Sequence, residues 1–524
     1  MRTGDGVWQA LAAARRANLD ADGLPAPVDG HWGATRRTVL KALAGGAAAG
    51  LAGAPAFAAR RPGSVAIIGG GLAGLTALHH LRKAGVDAHV YEARGRIGGR
   101  VHTVTGPDGV TFERGGQLVN TDHADMHALT REFGIALLDR KAAPHRTMIV
   151  AGGRLVETAE LADGLRAIAA QIDRDAKRLD ASYARVAPEL DRISMAQYLD
   201  RHAALIPQPW VRRLLEQTAR TEFGVEPAGA SAIELVFNLP VVDGARVEVL
   251  GGSDERFVIA GGSGAVPAAL AARHADRITT GRRAARIATA RDGRMTVSFL
   301  DGSSVTADHV VVAVPASLAD TIAYAVPLPA QWRAFLKVMQ LGRCEKLQWA
   351  MAETPWLGGL GSGGEGWSAE PDSPAALVWD GTVRGGAREA AVWNFFFGGD
   401  QVTASDSALP AAERLAEVFA PIARGLDRAR RPGVPANRTS WHRDPLTLGA
   451  YSNFPPGQLS RFAGLLSVDS DAPGERQYSA VGRLVFAGEH LSDAFPGYMN
   501  GGAQTGRMAA EAILGTRIAA KAAA

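Results

Sequence analysis

One cysteine, Cys344, stands among 524 residues. A single thiol excludes an intrachain disulfide and any cysteine-built metal cage. Histidine does not supply a cage either: the 13 are scattered, and His79-His80 falls in a stretch of helical spacing where packing or surface duty is the expected use, so no metal is expected. Aromatic residues make up only 6% of the chain, and no lysine or arginine run is interleaved with them, which leaves no sign of a nucleic-acid partner. Charge of neither sign dominates: 57 basic against 53 acidic side chains leave +4, and net charge decides little. Long apolar runs are missing too. The nearest approach, Val39 to Ala59, contains Lys41 and many alanines and glycines, a poor membrane span. No repeat of solenoid period is present. With 47% hydrophobic and 21% charged residues the chain reads as folded, and its length favours two interleaved domains over one core.

The N-terminus has the character of an address. Thr35-Arg36-Arg37-Thr38-Val39-Leu40-Lys41 precedes the mildly apolar run, and Ala56-Phe57-Ala58 offers a small-x-small site. The arrangement resembles a bacterial twin-arginine signal, which exports proteins already folded. Cleavage after Ala58, a periplasmic or secreted product and no stable membrane span after processing are the expectations. The stretch before Thr35 is long and carries Asp5, Asp20, Asp22 and Asp29, so a later start codon is an alternative.

Val65 to Arg100 carries the most information. Val65-Ala66-Ile67-Ile68 suits a strand buried on both faces, and Gly69, Gly71 and Gly74 give G-x-G-x-x-G spacing at the mouth of a helix. The first glycine permits a tight turn, the second lets a pyrophosphate approach the backbone, and the third lets helix pack on strand. The helix N-terminus adds free N–H groups and a positive dipole end. Glu92 follows a second strand, Ala88 to Tyr91, at the distance where an acid can accept from ribose hydroxyls. Glu92 to Arg100 then adds three glycines and three arginines. This extension resembles the loop of FAD enzymes in the amine oxidase and glutathione reductase-like superfamily, where it runs along the flavin diphosphate.

Further along, Phe112 to Gln117 reads as a strand running into a glycine turn, and Ala124 to Phe133 has helical spacing. Leu161 to Leu199, Trp210 to Thr221 and Ser231 to Leu239 read as a helical insertion. Arg256 to Ala265 has a second glycine pattern, but no acidic strand end follows it, and in the superfamily this place resembles a return into the FAD domain. Met295 to Leu300 and Ser304 to Ala307, joined at Asp301-Gly302, read as a hairpin. Val310 to Val314 is a buried strand stopped by Pro315, and Cys344 to Met351 and Ala391 to Phe397 are strands expected to floor a second domain. Phe486-Ala487-Gly488-Glu489-His490 delivers Gly488-Glu489 from a strand end, and Gly497 to Ala503 opens a helix whose N-terminus can stabilise negative charge at a flavin edge.

These segments, with Trp441, Gly449-Ala450-Tyr451 and Phe454-Pro455-Pro456-Gly457, closely resemble the flavin monoamine oxidase family, from Ser64 to about Leu514. The resemblance implies an α/β fold: a Rossmann-type, glutathione reductase-like FAD-binding domain interleaved with an α+β substrate domain that carries a helical insertion. It divides the chain into a signal region at 1–63, FAD-binding parts at 64–120, 251–320 and 441–516, and substrate-domain parts at 121–250 and 321–440. It implies FAD contacts at Gly69, Gly71, Leu72, Ala73, Gly74, Glu92, Ala93, Arg94, Arg100, Gly115, Gly116, Gln117, Ala284, Gly488, Glu489, Tyr498 and Met499. Tyr451 and Tyr498 match the tyrosines that face each other before the flavin and cage the amine. Each alone reads as a packing residue; inside matching motifs they read as a pair. Trp441 matches a tryptophan beside the flavin, with a core tryptophan as the competing role. Lys346 matches a lysine that holds a water at flavin N5 and assists reaction with oxygen; its competitor is a strand-end lysine facing solvent.

Members with covalent flavin carry a cysteine just before the first cage tyrosine. Here that position is Ala450, so non-covalent FAD is expected. Amino acid oxidases of the superfamily clamp the substrate carboxylate with an arginine, and Gly115 to Asn120 contains none, which favours amines. The resemblance thus implies oxidation of a primary or secondary amine by hydride transfer to flavin N5. The imine then hydrolyses to an aldehyde or ketone. Oxygen, giving hydrogen peroxide, is the expected acceptor, and an electron carrier the alternative. An L-amino acid oxidase, an FAD-dependent desaturase and a non-catalytic flavin-binding module are the other readings. A homodimer is left open.

Overall fold

A computed structural model describes residues 63–520, apart from 143–147, 239–240, 244–245, 249–252, 358–362, 386–389, 405–413, 416, 424–436 and 472–473. The twin-arginine motif and the site at Ala58 lie outside the described residues. Among those described, no helix is long and apolar enough to cross a membrane.

A six-stranded sheet organises the nucleotide end, in the order Ile278–Thr279, Asp87–Tyr91, Ser64–Ile68, His309–Val312, Leu484–Phe486, Ala480–Val481. All neighbours are parallel except the last pair. Val65 to Ile68 and Val310 to Val312 are buried on both faces, which is why they read as continuous apolar runs. Helices Leu72–Lys83 and Met499–Leu514 pack against one another at glycines, since a Cβ on Gly506 would lie 2.3 Å from the Ala73 carbonyl oxygen. The hairpin Met295–Phe299 and Ser304–Ala307 pairs from Met295 with Ala307 to Ser298 with Ser304, as the turn signal predicts.

The Arg256 to Ala265 stretch carries one short strand before its glycines. Its strand, Phe257–Ile259, does not join the nucleotide sheet but lies between Leu118–Val119 and Leu137–Asp139. The strand that returns to the nucleotide sheet is Ile278–Thr279, too short for its sequence to announce. Gly262 serves close packing, since a Cβ there would sit 2.5 Å from a Glu113 carboxylate oxygen, whereas Gly261 is favoured by its φ of 75°.

A seven-stranded sheet forms the opposite wall, in the order Asn437–Arg438, Cys344–Met351, Ala391–Gly398, Leu377–Asp380, Gly366–Ser368, Met148–Ala151, Arg154–Leu155. Cys344–Met351 is buried at every position. Beside this sheet run helices Thr158–Ala181, Tyr183–Asp191, Met195–Arg201, Pro209–Glu222 and Ala232–Asn238. Leu161, Leu165, Ile168, Ile172 and Leu179 form one buried stripe along the first, the apolar face its spacing dictates. Ser194 and Gln197 close a reciprocal capping box at the start of Met195–Arg201.

Helix Pro209–Glu222 ends against glycines. A Cβ on Gly398 would lie 1.7 Å from the Arg220 carbonyl oxygen, and one on Gly342 would lie 1.8 Å from that of Phe223. No larger residue fits, and this close approach brings Thr221 and Glu222 to the cavity between the two sheets.

Candidate active site

One elongated cavity runs from the carboxyl ends of the parallel strands to the seven-stranded wall. It encloses about 2050 Å³ of atom-free space, including its open mouth. Gly69, Gly71, Leu72, Ala73, Glu92, Ala93, Arg94, Arg100, Gly115, Gly116, Gln117, Ala284, Lys346, Trp441, Tyr451, Gly488, Glu489, Tyr498 and Met499 all line it. Gly74 lies behind the lining, where a Cβ would meet the Gly69 carbonyl oxygen at 2.0 Å. Its role is to let helix press on turn, as expected of a third glycine.

The nucleotide end fits a dinucleotide on the chain's own geometry. Helices Leu72–Lys83 and Met499–Leu514 both open on the cavity. Neither has a side-chain cap or an acidic residue in its first turn, so their free N–H groups and positive dipole ends are available to an anion. Gly71 meets only the Gly99 Cα at 3.9 Å, and the Gly98 N–H donates to the Gly70 carbonyl at 2.8 Å. The two glycine loops therefore form one cradle that a side chain would fill. Glu92 is buried at the strand end and accepts from the N–H groups of Gly70 and Arg94, each at 2.7 Å. Each carboxylate oxygen keeps a lone pair for a ribose hydroxyl.

The arginines of the second loop also hold the walls together. Arg94 makes a bidentate pair with Asp444, both bonds at 2.9 Å, and reaches Thr447 at 2.7 Å. Arg100 donates to the Ala450 carbonyl and to Glu489, both at 2.7 Å. Glu489 also accepts from Ser452 Oγ at 2.8 Å and the Gly497 N–H at 2.7 Å. Burial opposes its ionisation most strongly, but Arg100, His490 and the Ser452 hydrogen bond outweigh it and hold the carboxyl below the usual range. Glu489 thus ties the loops that carry the two tyrosines.

Tyr451 follows Gly449, whose backbone sits at φ 155° and whose Cβ would collide with Leu341. Hydrogen bonds of 2.8 Å between Gly342 N and Tyr451 O, and between Ala450 N and Gly342 O, fix this loop. The Tyr451 phenol donates to the Thr221 carbonyl, and the Cys344 sulfur lies 2.9 Å from its oxygen. Tyr498 caps the helix opposite, and His123 stacks edge-on against it at 5.1 Å. Gly497 approaches the Tyr451 ring closely, a Cβ there lying 3.7 Å away. Both tyrosines are half-buried and line the cavity, and burial pushes both phenols well above their ordinary range, so they stay neutral. Trp441 is buried and donates from Nε1 to the Arg114 carbonyl at 2.8 Å.

Lys346 does not face solvent. Its ammonium is buried and donates to the carbonyls of Gly115 at 2.8 Å and Glu113 at 3.2 Å, and to Gln117 Oε1 at 3.2 Å. It lies 5.4 Å from the Trp379 ring centroid. Burial lowers its pKa to about 8, against the opposing pull of Glu113 and Glu255. The lysine spans from the seven-stranded wall to the Gly115 to Gln117 turn.

Among the cavity residues that the sequence did not single out are two acids, Glu222 and Glu255. Glu222 ends its helix, where an acid opposes the dipole. Glu255 is a non-glycine residue at φ 43°, a sparsely populated conformation. The first cue was present in the helical pattern; the second exists only in three dimensions.

Residues 72–514 match the model of the flavin-containing amine oxidoreductases. The chain is 25% identical over 488 residues to an L-amino acid dehydrogenase of Synechocystis sp., covering 86% of this chain and 94% of that one. It is 26% identical over 482 residues to a putrescine oxidase of Kocuria rosea, covering 86% and 95%. A putrescine oxidase structure bound to putrescine superposes with a TM-score of 0.70 at 24% identity, covering 86% of this chain and 99% of that one. The chain belongs to the flavin-containing amine oxidoreductase family. It is an FAD-dependent amine oxidase by class, and Ala450, at the position just before Tyr451, has no thiol to tether the flavin.

Proposed function

We propose that the protein oxidises a primary or secondary amine to an imine, which water hydrolyses to an aldehyde or ketone. When bound, FAD supplies the two-electron acceptor for the hydride leaving the amine α-carbon. The observation that carries the reading is the pair Tyr451 and Tyr498, brought from different loops to one cavity and tied through Glu489 and Gly497. Neutral phenol rings present electron-rich faces to an amine nitrogen and orient the α-carbon beside it. The carbonyl of Thr221 holds one phenol, and the edge of His123 supports the other. Gly69 to Gly74, Gly95 to Gly99 and the two open helix ends would hold the diphosphate, and Glu92 the ribose.

Lys346 supports oxygen as the acceptor, because a buried cation stabilises the anion formed when oxygen takes up an electron. Its ammonium also holds the turn at 115–117. The Arg36-Arg37 motif supports export of the folded protein. The Synechocystis relative acts on L-amino acids by its name, but Gly115 to Asn120 carries no arginine here. The test is an anaerobic screen of amines and amino acids against the holoenzyme. Amines are expected to bleach the flavin, and air to restore its colour with hydrogen peroxide. Bleaching by amino acids alone would overturn the reading.

A further inference from the structure

The Lys346 ammonium has no hydrogen left for the cavity. Its three N–H donors are taken by the carbonyl oxygens of Glu113 at 3.2 Å and Gly115 at 2.8 Å and by Gln117 Oε1 at 3.2 Å. Gln117 is the reverse case. Its Oε1 also accepts from Trp379 Nε1 at 3.3 Å and Asn394 Nδ2 at 3.1 Å. Lysine and tryptophan side chains only donate, so the amide can be turned one way alone, oxygen to the wall.

The same polarity runs through the buried amides behind it. Asn437 Nδ2 donates to Gln348 Oε1 at 2.7 Å. Gln348 Nε2 donates to Asn394 Oδ1 at 2.8 Å and to the Glu113 carbonyl at 3.1 Å. Asn394 and Gln348 are fully buried, and each amide of the row donates toward Gln117, so their dipoles reinforce one another. Gln117 ends the row. It is 6% exposed and lines the cavity, and its Nε2 donors meet no acceptor among the described residues. The turn that carries it lies against the open helix end at 499, where a Cβ on Gly116 would sit 2.8 Å from Met499 Cγ. A buried donor without a partner is costly, and a cation on its carbonyl side makes the N–H a stronger donor.

We infer that Gln117, and not Lys346, is the hydrogen-bond donor to oxygen at this wall, with Lys346 as the positioning residue that turns and polarises its amide. This rests on the oxygen-acceptor reading and deepens it. Dioxygen takes two electrons and one proton from the reduced cofactor and a second proton from water, and leaves as hydrogen peroxide. Gln117 gives up no proton. Its N–H groups hydrogen-bond the oxygen while it carries negative charge, and such charge-assisted bonds are among the stronger ones.

The test has two parts, and neither needs an amine. In a crystal structure of the oxidised holoenzyme, Lys346 Nζ is expected to keep its three protein acceptors alone, and Gln117 Nε2 to bond a water or cofactor atom. A water or cofactor atom bonded directly to Lys346 Nζ would overturn the inference. The second part reduces holoenzyme with dithionite and times its oxidation by oxygen and by ferricyanide. Gln117→Leu keeps the cation and frees one of its N–H groups. The oxygen rate relative to the ferricyanide rate is expected to fall at least about tenfold, from loss of one hydrogen bond to a charged group. Poorer seating of the cofactor would instead slow both and leave the ratio. Adding Lys346→Met to Gln117→Leu is expected to change little beyond Lys346→Met alone, because the two act in series. A ratio that holds or rises in Gln117→Leu would make Lys346 the direct donor and overturn the inference, as would effects that multiply. Reduced parent that ferricyanide oxidises and oxygen does not would defeat the oxygen reading, and the inference with it. Gln117→Met repeats the measurement if the Leu variant does not fold, and the crystal structure of the parent stands in either case.

Discussion

The two ends of the cavity are built by different means. At the nucleotide end the work is done by backbone: glycines at 69, 71, 74, 98 and 99, and two helix N-termini without caps. At the amine end it is done by side chains drawn from distant segments: Glu222 on a helix, Glu255 in a strained turn, Lys346 on a strand, and Tyr451 and Tyr498 on separate loops. A backbone cradle depends on local spacing, so it tolerates little change in sequence and serves one ligand. A side-chain pocket depends on convergence, so it can be rewritten residue by residue while the cradle stays. The contrast places cofactor identity at one end and substrate choice at the other.

The largest effect that would sharpen this contrast is loss of the cradle. Gly74→Val forces atoms into the Gly69 carbonyl, where even a Cβ would stand 2.0 Å away, and is expected to destabilise the fold by ~3 kcal/mol and to yield protein without bound flavin. Gel filtration followed by a visible spectrum reads the outcome; a yellow, stable variant would break the backbone account. Next comes the amine end. Replacing Tyr451 and Tyr498 together with Ala is expected to slow anaerobic flavin reduction by about a hundredfold through lost orientation while FAD stays bound. Stopped-flow bleaching measures it, and an unchanged rate would remove the pair from the chemistry.

Lys346→Met should act on the oxidative half alone, slowing reaction of reduced enzyme with air by about a hundredfold, the effect of losing one preorganised charge partner. The sign of the pH dependence follows from the lysine being cationic below its pKa of about 8 and neutral above it. Reoxidation in the parent should therefore fall as pH rises through that value, whereas the Met variant should be slow throughout. A parent profile that rises there would contradict the assignment. The smallest effect is expected at Trp441. Trp441→Phe removes the donor to the Arg114 carbonyl and should lower stability by about 1 kcal/mol, readable as a shift in the thermal midpoint with little change in the spectrum of bound FAD.

Legibility in the sequence divides along the same line. The strand Ser64–Ile68, its glycines, the helix behind them and Glu92 were readable because their constraints lie within one local segment. The strands Cys344–Met351 and Ala391–Gly398 were readable for their apolar character. Phe257–Ile259 was readable only as a return into the FAD domain, because three residues carry too little pattern to say which sheet they join. Lys346 was found by motif, but its burial against Gly115 and Gln117 could be seen only once the strand met the turn. Glu222 and Glu255 went unread for the same reason: an acid on a polar helix end, or in a glycine-flanked turn, looks like a solvated residue until the far wall closes over it.

The central claim is that an amine gives up its α-hydrogen and two electrons at this cavity. A single turnover without oxygen tests it most directly, with holoenzyme mixed with excess amine and both flavin absorbance and carbonyl product measured. The account predicts one aldehyde or ketone for each FAD reduced. Flavin reduction without carbonyl product, or no reduction by any amine, would contradict it.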